Sequence, residues 1–170
     1  MIPHFSKCVP KSFEGVVSGV IDGDTLEVIT TLSGVFARSM IVRVRLANVD
    51  TPETKNRRGG THLQANAGNA VKKVMTDALL NKRVQLFCEK GRFDSFGRIV
   101  ADIVFVENFE SSSFCGSEYY PTIEMPLSEC MIKLRIARQF VGGKTRSGKD
   151  WDESELSQIE EFINSYYNSR

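Results

Sequence analysis

Met40-Ile41-Val42-Arg43-Val44-Arg45-Leu46-Ala47 runs straight into Asn48-Val49-Asp50-Thr51-Pro52-Glu53-Thr54, and this stretch decides how the chain is read. Its first half alternates. Ile41, Arg43 and Arg45 fall on one side and Val42, Val44 and Leu46 on the other, which is the period of a strand with one polar face. Its second half is a loop carrying two carboxylates, Asp50 and Glu53, three residues apart. A strand that delivers arginine to the end where these acids begin gathers cations and anions at one place. Phosphate-ester chemistry uses both: positive charge against the phosphate, and carboxylate oxygens for a hard metal and for a base.

Working outward, residues 13–21 and 25–31 are β-rich runs joined by Asp22-Gly23-Asp24, a hairpin signal because glycine tolerates positive φ. Thr61 opens a helix, with Gln64 placed for a capping box. Leu63, Ala67, Ala70, Val71, Val74 and Ala78 recur at helical spacing, which predicts a core-facing stripe to about Leu80. Residues 84–88 and 99–106 are two further strands, and residues 127–134 suit a short helix. Asp152 and Glu155 can cap a last helix with Leu156, Ile159, Phe162, Ile163 and Tyr166 on its apolar face. Residues 56–60 read as a basic loop, 108–120 as a Ser-rich irregular excursion and 142–149 as a basic linker. Five β-runs with a helix between the third and fourth is the element order of an OB-fold. The expected class is therefore α+β, mainly β: a five-stranded Greek-key barrel with about three helices packed around it.

The 170 residues, 41% hydrophobic and 25% charged, fit one globular domain that needs no staple to build a core. A formal net charge of +1 hides a division. Between Arg38 and Arg98 there are 13 Lys or Arg against 5 Asp or Glu, whereas from Asp150 onward there are six acids against Arg170 alone. The middle of the chain is thus suited to an anionic partner, with an acidic solvated helix at the end. Cys8, Cys88, Cys115 and Cys130 form no C-x-x-C pair, and His4 and His62 are the only histidines, so a zinc site or a histidine-based metal nuclease is disfavoured. Cys88 and Cys130 sit in apolar patterns, as buried reduced thiols do. The first residues lack the apolar core of a secretory leader, and no run approaches a membrane span, so an intracellular location is expected.

Three segments carry the candidate chemistry. Asp24 and Asp50, with the backbone carbonyl of Thr51, could hold a hard cation such as Ca²⁺, which takes six to eight oxygens and would leave room for water and phosphate. Glu53 could remove a proton from an attacking water or orient it. Arg45 and Arg98 could clamp the phosphate in bidentate fashion. Each has an ordinary structural alternative: Asp22-Gly23-Asp24 as a plain hairpin turn, Asp50 as a turn cap, Glu53 as a solvated loop acid, and the arginines as surface ion pairs. Their joint occurrence in this order is what stands out.

That order resembles the staphylococcal nuclease family over residues 13–143. The matching segments are Val20-Ile21-Asp22-Gly23-Asp24-Thr25, then Val44 to Thr54, then Lys90-Gly91-Arg92-Phe93-Asp94-Ser95-Phe96-Gly97-Arg98. The resemblance implies an OB-fold, Ca²⁺-dependent phosphodiesterase that cleaves single- or double-stranded DNA and RNA and leaves 3′-phosphate ends. It implies Asp24, Asp50 and Thr51 as calcium ligands, Glu53 as general base and Arg45 and Arg98 on the phosphate, with Asp22 as a secondary acid near the metal. Arg43, Asp94, Ser95 and Phe96 become candidate substrate contacts. The type member has Lys-Tyr where this chain has Ser95-Phe96, and its later pair of tyrosines has no clear counterpart around residues 140–143. The expected organisation is an extension over 1–12, a nuclease domain over 13–143, and a linker and helix over 144–170 packed on the same domain, with a monomer as the default and no membrane partner. Two other readings stay open: a non-catalytic nucleic-acid or protein-binding module on the same barrel, and a protein-interaction or structural domain suggested by the acidic terminal helix.

Overall fold

Alternating β-branched residues build the first hairpin. Strand β1 (Ser12–Asp22) turns through Gly23 and Asp24 into β2 (Thr25–Leu32), which pairs along its length with β3 (Arg38–Leu46). The structure, a computed structural model, describes residues 9–32, 38–55, 61–88, 91, 93–106, 126–140 and 151–168. The readings of 56–60, 108–120 and 142–149 lie outside them. After the two-residue β4 (Val49–Asp50) come α1 (His62–Leu79), β5 (Arg83–Phe87) and β6 (Ile99–Val106), then α2 (Leu127–Lys133), a two-residue β7 (Arg138–Gln139) and α3 (Glu153–Asn168).

The barrel closes in the order β1-β2-β3-β6-β5. Strand β1 serves both sides, pairing antiparallel with β2 and, through Ser12 to Val16, with β5. Two register shifts in β1, between Val17 and Gly19 and between Val20 and Asp22, supply the coiling that a small barrel requires. The seam is parallel: Val44, Arg45 and Leu46 lie opposite Ile99, Val100 and Ala101. The inward positions, among them Val17, Leu26, Val28, Val44, Leu86, Ala101 and Ile103, are fully buried. Opposite them on the alternating pattern, Ile41 and Arg43 face water, as the sequence predicts.

Helix α1 packs on β1 and α3. Thr61 caps it, its hydroxyl accepting from the Gln64 N–H at 3.2 Å. Its buried stripe is Gly68, Val71, Val74, Met75 and Leu79. Leu63, expected on that stripe, is 56% exposed in the first turn, ahead of the first buried position, Gly68. Helix α3 holds to α1 through Leu156, Ile159 and Tyr166, with the Tyr167 hydroxyl donating to Asp77 at 2.9 Å and Lys73 over the Tyr167 ring. No described helix is long and apolar enough to cross a membrane.

Candidate active site

The hairpin turn between β1 and β2 delivers Asp24 to one end of the barrel, where it is only 7% exposed. Both of its oxygens are held: Thr25 Oγ1 donates to Oδ1 at 3.0 Å and the Thr51 N–H to Oδ2 at 3.2 Å. Gly23 is required for this approach. A Cβ there would lie 2.8 Å from both Thr51 Oγ1 and Val71 Cγ1, so the turn is wedged between the Asp-Thr-Pro-Glu loop and α1.

Arg45, near the end of β3, points into the same end. Its Nη1 donates to the Leu46 carbonyl at 2.9 Å, and Nη2 lies 3.2 Å from Asp24 Oδ2 and 3.9 Å from Asp50 Oδ1. Burial pulls the guanidinium below its ordinary value, Asp24 opposes that shift and the nearby charge of Arg98 adds to it. Arginine stays a cation at neutral pH regardless. Glu53 and Asp94 are also close enough for their charges to help keep it so.

The parallel seam sets β6 beside β3 and so brings in Arg98, the residue before it. Arg98 Nε donates to Asp94 Oδ2 at 2.8 Å, and Nη1 to Thr25 Oγ1 at 3.2 Å. Asp94 organises the preceding turn, its Oδ1 accepting from the Phe96 and Arg98 N–H groups at 2.9 Å each, while Gly97 takes φ +75°. Desolvation alone would raise the Asp94 carboxyl, but these hydrogen bonds outweigh it and hold the group below its ordinary value. The Thr25 hydroxyl thus bridges the two sides of the site, donating to Asp24 and accepting from Arg98.

Asp50 and Thr51 are 3% and 2% exposed, at the start of the loop. Glu53 is half-buried beyond Pro52. Gly68 of α1 lies against this loop: a Cβ would sit 2.4 Å from the Glu53 carbonyl oxygen and 2.7 Å from that of Pro52. Asp22 accepts from Thr54 Oγ1 at 2.5 Å, and Asn69 Nδ2 donates to the Thr54 carbonyl at 3.2 Å, so the far end of the loop is strapped to the hairpin and to α1.

The structure therefore gathers Asp24, Arg45, Asp50, Thr51 and Arg98 at one end of the barrel, with Glu53 on the adjoining loop and Asp22 behind it. Arg43 stands apart, paired across the strands with Glu27 at 3.5 Å and largely exposed. Ser95 is exposed, and Phe96, 81% exposed, lies under the Arg98 guanidinium at 5.3 Å. Four further residues contribute: Thr25, which lies inside the hairpin motif, and Gly68, Arg138 and Phe140, which carry no local signal in the sequence. Arg138 reaches Asp50 at 3.1 Å, and the Phe140 ring lies 5.9 Å from the Arg45 guanidinium carbon.

For a cation, the donor set is hard oxygen: two carboxylates and a backbone carbonyl, without thiolate or imidazole. Among the described residues no group of three His, Cys, Asp or Glu comes close enough to hold a metal. A metal here would thus rely on Asp24, Asp50, the Thr51 carbonyl and water, a set that suits Ca²⁺ and not zinc.

A closed five-stranded OB-type barrel, with acidic and basic side chains converging at one end, defines the class. A family model described as staphylococcal nuclease homologue matches residues 43–161. The chain belongs to that family. The match begins at Arg43, so Asp24 lies upstream of it and joins the site through the hairpin and its contact with Arg45. None of the curated proteins matches the chain.

Proposed function

We propose that this protein is a Ca²⁺-dependent nuclease that hydrolyses phosphodiester bonds of DNA and RNA with little regard for sequence, giving 3′-phosphate products. One observation supports the reading above the others: two buried carboxylates and two guanidinium groups converge beside a loop that carries a further carboxylate, Glu53. Asp24, Asp50 and the Thr51 carbonyl would hold the calcium. Bound there, calcium would supply positive charge against a non-bridging phosphate oxygen.

The chain's own groups do the rest. Arg45 approaches from β3 and Arg98 from the turn before β6, so a phosphate between them meets donors on two sides, and the charge developing on its oxygens is stabilised by groups already in place. Arg98 is held for this by Asp94 and Thr25, and Arg45 by Asp24 and the Leu46 carbonyl. Glu53 accepts the proton of the attacking water as the P–O5′ bond breaks, and the departing 5′-oxygen takes up a proton from solvent. Contacts of this kind address the backbone and carry no base information. Phe96 and Phe140, each beside one of the arginines, offer rings on which flanking bases could stack.

The test is degradation of plasmid DNA and of a structured RNA with calcium and with EDTA, using the wild type and Glu53→Gln. Cleavage that needs calcium and falls by at least about 10²-fold in the variant supports the proposal. Binding without cleavage in calcium would leave a nucleic-acid-binding module instead.

A further inference from the structure

Arg138 belongs to no motif, but the fold puts it against a proposed cation ligand. Strands β4 and β7 pair so that Asp50 lies opposite Arg138. Its Nε donates to Asp50 Oδ2 at 3.1 Å, leaving Oδ1 on the side of Arg45. The other face of the guanidinium is committed to α3. The guanidinium carbon lies 4.6 Å from the centre of the Trp151 ring, and Nη1 is 3.8 Å from Glu155 Oε2. Glu155 is itself part of the cap of α3. It accepts from the Asp152 N–H at 3.0 Å, while its own N–H donates to Asp152 Oδ1 at 2.8 Å. A single side chain therefore connects Asp50 to the first turn of α3 and to a buried indole.

We propose that Arg138 is a positioning residue that orients Asp50 and ties the start of α3 to the cation site, so that a divalent cation arriving at Asp50 is registered at Trp151. The proposal rests on the cation reading given above. Asp50 is buried, and the charge-assisted hydrogen bond from Arg138 to Oδ2 favours the orientation that keeps Oδ1 on the side of Arg45. Partners that orient a metal ligand commonly control affinity by 10- to 100-fold, as an order of magnitude. Arg138 also places a positive charge near the cation, but Glu155 offsets it, so orientation prevails over repulsion. A cation at Asp50 repels the guanidinium and changes its stack on the indole. Linkage makes the effect reciprocal: what holds Arg138 on the α3 side changes cation affinity.

Trp151 is the single tryptophan of the chain, so its emission can be assigned without ambiguity. The experiment titrates the full chain with calcium chloride, following Trp151 emission and, in parallel, the heat of binding. The expected result is an emission change with the midpoint given by the heat. In Arg138→Gln the emission change disappears and calcium binding weakens about tenfold. In Arg138→Lys, which restores the charge but not the flat stack, most of the affinity returns and the emission change does not. Glu155→Gln, at the solvent side of the pair, weakens calcium binding to a smaller degree with the fold intact. Calcium heat with a silent Trp151 in the wild type overturns this proposal and leaves the cation reading standing. Tighter calcium binding by Arg138→Gln overturns it as well, because repulsion would then have outweighed orientation. If the wild type gives no calcium heat, the cation reading falls and takes this proposal with it.

Discussion

Replacing Gly68 by alanine separates the stability of this protein from its proposed chemistry. The new methyl group would sit 2.4 Å from the Glu53 carbonyl oxygen, 2.6 Å from the Glu53 carbonyl carbon and 2.7 Å from the Pro52 carbonyl oxygen. All three are backbone atoms, so no side chain can swing aside. Non-bonded carbon contacts settle near about 3.5 Å, so the Thr-Pro-Glu loop must retreat from α1 by roughly 1 Å. Overpacking of this kind costs about 1–3 kcal/mol. Alanine in place of glycine inside a helix returns about 1 kcal/mol. The net loss of stability is then only about 0–2 kcal/mol. A displacement of about 1 Å in a catalytic group, by contrast, can cost on the order of 10² in rate, equivalent to about 2.7 kcal/mol of barrier. The assay pairs urea unfolding with calcium-dependent cleavage of a fluorescent oligonucleotide. The expected outcome is a small shift in midpoint with a loss near 10²-fold in kcat. A Gly68→Ala protein that cuts at the wild-type rate would refute this reasoning: either the loop does not move or the rate does not rely on where Glu53 stands.

Arg45→Lys keeps the charge but cannot reach the Leu46 carbonyl and both carboxylates at once, so cleavage should fall by about 10²-fold or more with the fold retained, as measured by kcat and circular dichroism. Asp102, buried beneath α2 and accepting from the Ser128 hydroxyl and N–H, is pushed up first by desolvation, with the hydrogen bonds opposing. Its protonated form is favoured on folding, so the stability it adds is complete below the ordinary carboxyl range and is lost as pH rises through the raised folded value. Urea melts at stepped pH should show wild type losing ground to Asp102→Asn over that interval. Asp94, held low, acts with the opposite sign: its contribution is present above the ordinary range and is lost as pH falls through the depressed value. Burial pushes the Cys88 thiol up to about 11, so alkylation mapped by peptide should spare Cys88 at pH 8 until the protein unfolds. Rapid labelling of native Cys88 would contradict its burial.

The barrel was legible because strands that line a core announce themselves by period. The alternation over residues 41–46 correctly assigned Val44 and Leu46 to the interior and Ile41 and Arg43 to water. It did not distinguish Arg43 from Arg45. They share a face, and the β2–β3 register sets one opposite Glu27 and the other opposite Thr25, beside Asp24. Leu63 matched the helical stripe in spacing but lies before the first buried position of α1, Gly68. The β4–β7 pair could not be read at all, since two residues have no period, and with it Arg138 stayed hidden. Gly68 carries no local signal in the sequence of α1. Its reason lies on another segment, in the backbone of Glu53, and becomes visible only when the two are brought together.

The parallel seam has a consequence for the order in which the molecule matures. Joining Val44 to Ile99 closes a long loop of chain, and contacts between such distant segments come late and slowly compared with hairpins. The β1–β2–β3 meander can form early from neighbouring strands, and it already contains Asp24 and Arg45. Arg98 takes its place beside them only when β6 docks, and Arg138 only after β7 has found β4. A partly synthesised or partly folded chain therefore holds the acids without their full complement of cations. If the proposed chemistry holds, activity should appear together with barrel closure, because Arg98 reaches the acids only then.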